Sequence, residues 1–283
     1  MAGTPHPPRR CPLRQVRLNR TFVVTPRPVA IPTGQAALAR GEHIAKTRGC
    51  VDCHGADFAG AKVVEDGAMG TLYGPNLTSG KGSRIAQFKD VDWVRAIRHG
   101  VGPDNVGLLF MPAEEYSHLS DDDLGSVIAF LKSVPPVDRE RVPTKLGPVT
   151  RVLLTTGRMK MAAAVIDHAN LRPAAADKAP TAEYGRYLAA GCVGCHGPNF
   201  SGGKIEIGPP SWPPARNLTP HESGNLAKWS EADFIRAIRE SRRPDGTELD
   251  PVMPRGFAGM DDTELKALYA FFKTLPAVPT GAR

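Results

Sequence analysis

The feature that most constrains this 283-residue chain is a ten-residue segment that occurs twice. "GCVDCHGADF" occupies residues 49 to 58, and "GCVGCHGPNF" occupies residues 191 to 200. Each copy has two cysteines separated by two residues and followed directly by a histidine. A segment repeated at such a distance predicts two copies of a whole structural unit, because short-range repeats alone produce smaller periods.

The similarity extends well beyond the ten residues. "GPNLTSG" from residue 74 aligns with "ARNLTPH" from residue 215, and "DWVRAIRHG" from residue 92 aligns with "DFIRAIRES" from residue 233. We therefore divide the chain into four parts, which are an N-terminal arm (1–35), a first domain (36–137), a linker (138–180) and a second domain (181–283). The linker is expected to strap across one of the domains.

The repeated segments have helical patterns. Near the end of each copy, apolar residues follow the i, i+3, i+4, i+7 spacing of a helix, from Leu124 in the first copy and from Leu265 in the second. Ser120 and Asp261 are expected to cap these closing helices. We also expect a middle helix in each copy and a short helix before each cysteine pair. No alternating strand pattern is evident, so the predicted class is all-α, with two domains of a few helices and long loops.

The Cys-x-x-Cys-His spacing predicts covalent haem attachment. Two thiols about one helical turn apart can both add to one haem, while the imidazole of the next residue reaches the iron. Zinc is a weaker alternative, because neither copy has a second cysteine pair. A redox disulfide is also weaker, since the βαβ pattern that usually accompanies it is absent. The predicted attachment residues are Cys50, Cys53 and His54 in the first copy and Cys192, Cys195 and His196 in the second.

A six-coordinate haem iron needs a second axial ligand. Met111 lies 57 residues after His54, and Met253 lies 57 residues after His196. Both methionines precede a proline, and the other methionines have no counterpart in the opposite copy. The sequence therefore predicts His54, Met111, His196 and Met253 as iron ligands, and favours them over bis-histidine or open coordination.

With these motifs in place, the chain resembles the class I cytochrome c family in tandem. The resemblance implies that the first and last helices of each domain cross and cradle the haem. It also implies that the carbonyl of Pro75 accepts the Nδ1 hydrogen of His54, whereas Arg216 stands at that position in the second domain. Asn76 and Asn217 are expected near the haem edge or propionates, the alternative being that they cap loops.

The resemblance also implies a function. Methionine and histidine on both irons leave no vacancy for a substrate, so the expected chemistry is electron transfer. The chain looks most like dihaem cytochromes that serve membrane-associated dehydrogenases. We expect a dehydrogenase as donor and an oxidase or small cytochrome of the respiratory chain as acceptor. The alternative is a dihaem cytochrome c peroxidase-like enzyme with one iron able to open.

The charge of the N-terminal arm and the cellular location of the protein can also be predicted from the sequence. The arm carries six arginines and no acid, which suits an anionic membrane surface or simple solvation, and nothing in the chain favours nucleic acid. Thioether haem attachment takes place outside the cytoplasm, so a periplasmic location is expected. The sequence contains no apolar export segment, and we expect one, or a membrane anchor, upstream of the first residue. Cys11 is expected to be incidental, with lipid attachment as an alternative.

Overall fold

The computed structural model describes residues 20–171, 177–205 and 211–282. Cys11 and most of the predicted arm lie outside these ranges. Helices dominate the described residues, and the same succession of helices occurs in both halves of the chain. This arrangement confirms the predicted all-α class with two tandem domains.

The helices of the first half and the linker are α1 (Gln35–Thr47), α2 (Cys50–His54), α3 (Asp90–His99), α4 (Ala113–Tyr116), α5 (Asp121–Ser133) and α6 (Pro148–Thr156). Those of the second half are α7 (Ala182–Ala189), α8 (Val193–His196), α9 (Glu231–Glu240) and α10 (Asp262–Thr274). Short 3₁₀ turns include Ala190–Cys192 and Arg255–Gly259.

Each half is built on direct backbone contact between its first and last helices. A Cβ atom on Gly41 of α1 would lie 2.0 Å from the carbonyl oxygen of Ser126 in α5. A Cβ atom on Gly185 of α7 would lie 1.9 Å from the carbonyl oxygen of Ala267 in α10. Neither distance is physically possible, so only glycine allows these helix pairs to approach so closely.

The closing helices begin where their capping residues predict. The Ser120 hydroxyl accepts a hydrogen bond from the Asp123 amide at 3.0 Å, and the Asp261 carboxylate accepts one from the Glu264 amide at 3.0 Å. Their apolar faces are buried against the first helices, and Leu124 is fully buried. The periodic pattern therefore identified the core face of these helices.

Three short antiparallel strands were not predicted. They are β1 (Lys62–Asp66), β2 (Gly70–Tyr73) and β3 (Lys145–Leu146), in the order β1-β2-β3. β1 is mostly exposed and has no alternating apolar residues, which explains why its sequence carries no strand signal. The sheet is formed by backbone pairing, to which any residue except proline can contribute.

The linker lies across the first domain. Its strand β3 pairs with β2 of that domain, and the hydroxyl of Thr150 in α6 donates to the carbonyl oxygen of Met69 at 2.8 Å. Further along, the Nδ1 atoms of His99 and His168 lie 3.0 Å apart. These contacts attach the linker to the first domain.

We expect Gly185→Ala to lower the free energy of unfolding by about 2 to 4 kcal/mol, because the added methyl group forces α7 away from the backbone of α10. This loss should exceed the gain of about 1 kcal/mol that alanine brings to a helix. Urea unfolding of the haem-loaded protein measures the difference. Gly67→Ala is the control, since nothing lies within 4 Å of a Cβ atom there. Equal stability of the two variants would contradict the proposed contact.

Candidate haem sites

Each Cys-x-x-Cys-His segment forms a single compact turn. In the first half, α2 carries both cysteines and His54. In the second half, Cys192 ends a 3₁₀ turn and α8 carries Cys195 and His196. A glycine with positive φ follows each histidine, +79° at Gly55 and +80° at Gly197, and ends the helix there. Two thiols and one imidazole are thus held together on one turn in both halves.

The two histidine rings are oriented in the same way. The Nδ1 atom of His54 lies 2.8 Å from the carbonyl oxygen of Pro75, and that of His196 lies 2.7 Å from the carbonyl oxygen of Arg216. A carbonyl oxygen can only accept, so Nδ1 is the donor in each case and Nε2 keeps its lone pair. The backbone carbonyl of Arg216 therefore accepts the same histidine hydrogen bond as that of Pro75, although the residue types differ.

The histidine environment favours the neutral form that a metal requires. His54 and His196 are both buried. Burial lowers the pKa of His54, and the hydrogen bond to Pro75 opposes this effect only in part. A buried, neutral imidazole with Nε2 available has the properties of an axial ligand to haem iron.

The four attachment cysteines are not joined in disulfides, which suits thioether formation. Burial raises the pKa of Cys50 to about 12 and that of Cys192 to about 12. Among the described residues, the sole cluster of side chains suited to a metal ion is formed by His43, Asp261 and Glu264, and it contains no cysteine. The cysteines therefore lack the additional ligands that zinc needs, whereas two thiols and one imidazole are the donors that haem c uses.

The predicted methionines occupy corresponding loops. Met111 is partly buried and packs against the core just before α4, and Met253 is partly buried just before the turn Arg255–Gly259. Met260, by contrast, is almost fully buried and belongs to the core. Ligation of iron by Met111 and Met253 stays a prediction, which the proposal below takes up.

The two predicted asparagines fasten loops to the end of each domain. Asn76 donates from Nδ2 to the carbonyl oxygen of Val137 at 2.9 Å, and its Oδ1 accepts from the amide of Thr78 at 2.8 Å. Asn217 donates from Nδ2 to the carbonyl oxygen of Val278 at 2.8 Å. These contacts are those of the loop-capping alternative. Contact of either side chain with a haem stays a prediction.

A buried polar network joins the two domains. Arg40 in α1 donates from Nε and Nη2 to both oxygens of Asp123 at 2.8 and 2.9 Å, and its Nη1 lies 3.5 Å from Glu264 of the second domain. His43 lies 2.7 Å from Glu264, and the hydroxyl of Tyr187 in α7 donates to Asp123 at 2.5 Å. Each closing-helix carboxylate is therefore bound by groups from both domains.

These contacts keep both carboxylates ionised although they are buried. Burial alone would raise their pKa values, but hydrogen bonds and opposite charge outweigh it. Arg40 holds the pKa of Asp123 below its usual value, and His43 does the same for Glu264. Both acids of the network are therefore anions at neutral pH.

The network follows the internal repeat. Gly41 and Gly185 occupy equivalent positions in the helix crossings of the two domains. Arg40 in α1 therefore corresponds to Tyr184 in α7, and His43 corresponds to Tyr187. The first helix of each domain thus reaches the closing-helix acid of the other. Sequence comparison of the two copies missed this interface, because the corresponding positions hold different residue types.

We expect Arg40→Met to lower the free energy of unfolding by about 3 to 5 kcal/mol, because it leaves the buried Asp123 carboxylate without its cation. Lys46→Met is the matched control on the same helix. Lys46 pairs with Glu42, but these side chains are 54% and 45% exposed, and the expected cost is below about 0.5 kcal/mol. Urea unfolding at neutral pH measures both. A similar small loss in the two variants would show that the network contributes little.

Comparisons with known proteins agree with the geometry of the two sites. The family profile of cytochrome c matches residues 182–276, and the profile of cytochrome c oxidase, cbb3-type, subunit III matches residues 36–131. The two matches cover the two halves that carry the attachment turns. A diheme cytochrome c-type protein of Cereibacter sphaeroides is 29% identical over 286 residues, an alignment that covers 92% of this chain and 93% of that protein.

Other relatives are subunits of dehydrogenases. The fructose dehydrogenase cytochrome subunit of Gluconobacter japonicus is 25% identical over 88% of this chain and 55% of its own length. The gluconate 2-dehydrogenase cytochrome c subunit of Pantoea cypripedii is 28% identical over 86% of this chain and 60% of its own length. The chain therefore spans little more than half of these relatives. Within its described ranges, no helix has the length and apolar character needed to cross a membrane.

Proposed function

We propose that this protein carries electrons from a periplasmic or membrane-associated dehydrogenase to the respiratory chain. The chain is a tandem cytochrome c with two covalently bound haem c groups, and it resembles the cytochrome subunits of dehydrogenases. Electron transfer itself is supported by the relatives with similar sequences. The observation that carries the proposal is the pair of attachment turns, each with a histidine whose Nε2 faces away from a fixed carbonyl partner.

Both irons are closed in this proposal. Met111 and Met253 serve as the second axial ligands, supported by their equal spacing from the two histidines and by their corresponding loops. Haem c bound in this way supplies reversible one-electron chemistry and no site for a substrate. The chain's own part is to orient the two imidazoles, to supply the thiols and to keep both haem sites in one rigid body.

The donor in this proposal is the catalytic subunit of a dehydrogenase, and the acceptor is an oxidase or a small cytochrome. The dehydrogenase relatives support the donor, although this chain spans only part of their length. We place the protein in the periplasm or on the periplasmic face of the membrane, where thioether attachment occurs. In such a complex it acts as an electron-transfer subunit, and none of its residues is assigned a catalytic role.

An optical spectrum of the oxidised, haem-loaded protein tests the closed irons. We expect the weak red absorption band of methionine sulfur bound to ferric iron, with an intensity that corresponds to two such haems per chain. Met111→His and Met253→His should each remove one equivalent, because each removes one sulfur ligand. Met260→Leu is the control and should leave both, since Met260 belongs to the core.

Carbon monoxide binding to the same sample distinguishes the proposed electron carrier from the dihaem peroxidase-like alternative. A closed iron does not bind carbon monoxide, so the reduced protein should not respond to it. One equivalent of the red band together with carbon monoxide binding would indicate an open iron, and would favour a peroxidase-like enzyme over an electron carrier.

A further inference from the structure

One cation borders both haem attachment turns. Arg48 precedes Cys50 by two residues, and its Nη1 donates to the carbonyl oxygen of Leu188 in α7 at 2.6 Å. The same Nη1 lies 3.7 Å from the position of a Cβ atom on Gly191, the residue before Cys192. Its guanidinium group thus contacts the backbone that leads into the attachment turn of the second domain.

An acid of the first domain lies even closer to the second attachment turn. Glu115 is in α4, which packs against the turn Ala190–Cys192. Its Oε1 would be 2.3 Å from a Cβ atom on Gly194, the second of the two residues between Cys192 and Cys195. A carboxylate can approach this close to the turn only because residue 194 is glycine.

The helix that holds Glu115 is tied to Arg48. The hydroxyl of Tyr116, the next residue, donates to the carbonyl oxygen of Arg48 at 2.8 Å, and Tyr116 is buried. α4 therefore has a fixed place between the two attachment turns. Glu115 also follows Met111 by four residues, so one short segment carries both the predicted axial ligand of the first haem and the acid beside the second attachment turn.

Several charged or titratable groups act on Glu115. Glu114 and Tyr116 come from its own helix, Arg48 from the end of α1, and Cys192 from the second attachment turn. Burial raises the pKa of Glu115 to about 7, with a further rise from Glu114 and an opposing effect of Arg48. Its carboxylate is therefore an anion above neutral pH, and it becomes neutral as the pH falls below 7.

We propose that Glu115 of the first domain tunes the potential of the second domain's haem and thereby sets the preferred direction of electron movement between the two haems. This inference rests on the proposed electron-transfer function. Oxidation adds one positive charge to a haem, so a nearby anion stabilises the oxidised form and lowers the potential. The effect falls with distance, and the Glu115 carboxylate lies against the second attachment turn at Gly194, so we expect a larger effect on the second haem than on the first.

The consequence is a directed one-electron step. One electron leaves the reduced haem of the second domain and enters the oxidised haem of the first, and no bond is made or broken. Ionised Glu115 favours this direction because it stabilises the oxidised second haem. When Glu115 takes up a proton from water, the preference weakens.

The test compares Glu115→Gln with Glu114→Gln in the haem-loaded protein. Both remove one negative charge from neighbouring positions of α4, but Glu114 is exposed. Potentials are measured by a redox titration followed by NMR, with each haem's signals assigned through Cys53→Ser and Cys195→Ser, which each alter one attachment. At pH 8.5 we expect Glu115→Gln to raise the equilibrium constant for reduction of the second haem, relative to the first, by about threefold or more. Glu114→Gln should change it by less than half as much.

A second pH value separates charge from packing. At pH 5.5 Glu115 is already neutral, so Glu115→Gln should have little effect on either haem. An equal effect at both pH values, equal effects of the two variants, or a larger effect on the first haem would overturn the inference. Carbon monoxide binding to one iron would instead contradict the proposed function, because the Glu115 shift is measured whichever axial ligands are present.

Discussion

Backbone contact at two glycines sets how the first and last helices of each domain cross. At Gly41 and Gly185 the first helix of each domain touches the closing helix directly, with no side chain between them. The attachment turns follow the first helices within a few residues, so their positions are set by the same contact. The third residue of each closing helix, Asp123 or Glu264, is also brought beside a first helix.

The same arrangement explains how the two similar domains are joined to each other. Arg40 and His43 of α1 bind Glu264 of the second domain, and Tyr187 of α7 binds Asp123 of the first. Buried ion clusters contribute modest net stability because charges lose hydration when they are buried. Their larger effect here is to disfavour other domain arrangements, since any of these would leave a buried carboxylate unpaired.

Local patterns in the sequence predicted the helices and the attachment chemistry, but contacts between distant residues were not predictable. The capping of α5 by Ser120 depends on residues three apart, and the Cys-x-x-Cys-His turn is wholly local, so both were visible in the sequence. The strands had no signal, because β1 is short and exposed. The role of the Arg216 carbonyl could be found only from its alignment with Pro75, since any residue supplies a carbonyl. Nothing in the sequence brings Glu115 to Gly194, because this contact depends on how the two domains pack.

The central claim is that one rigid chain passes single electrons between two haems, and flash photoreduction tests it most directly. A brief pulse delivers less than one electron per molecule of the oxidised protein, and the spectra of the two haems are followed as the electron redistributes. The account predicts one redistribution phase whose rate does not depend on protein concentration, because the electron moves within the molecule. A rate that rises in proportion to protein concentration would show transfer between molecules and would contradict the claim.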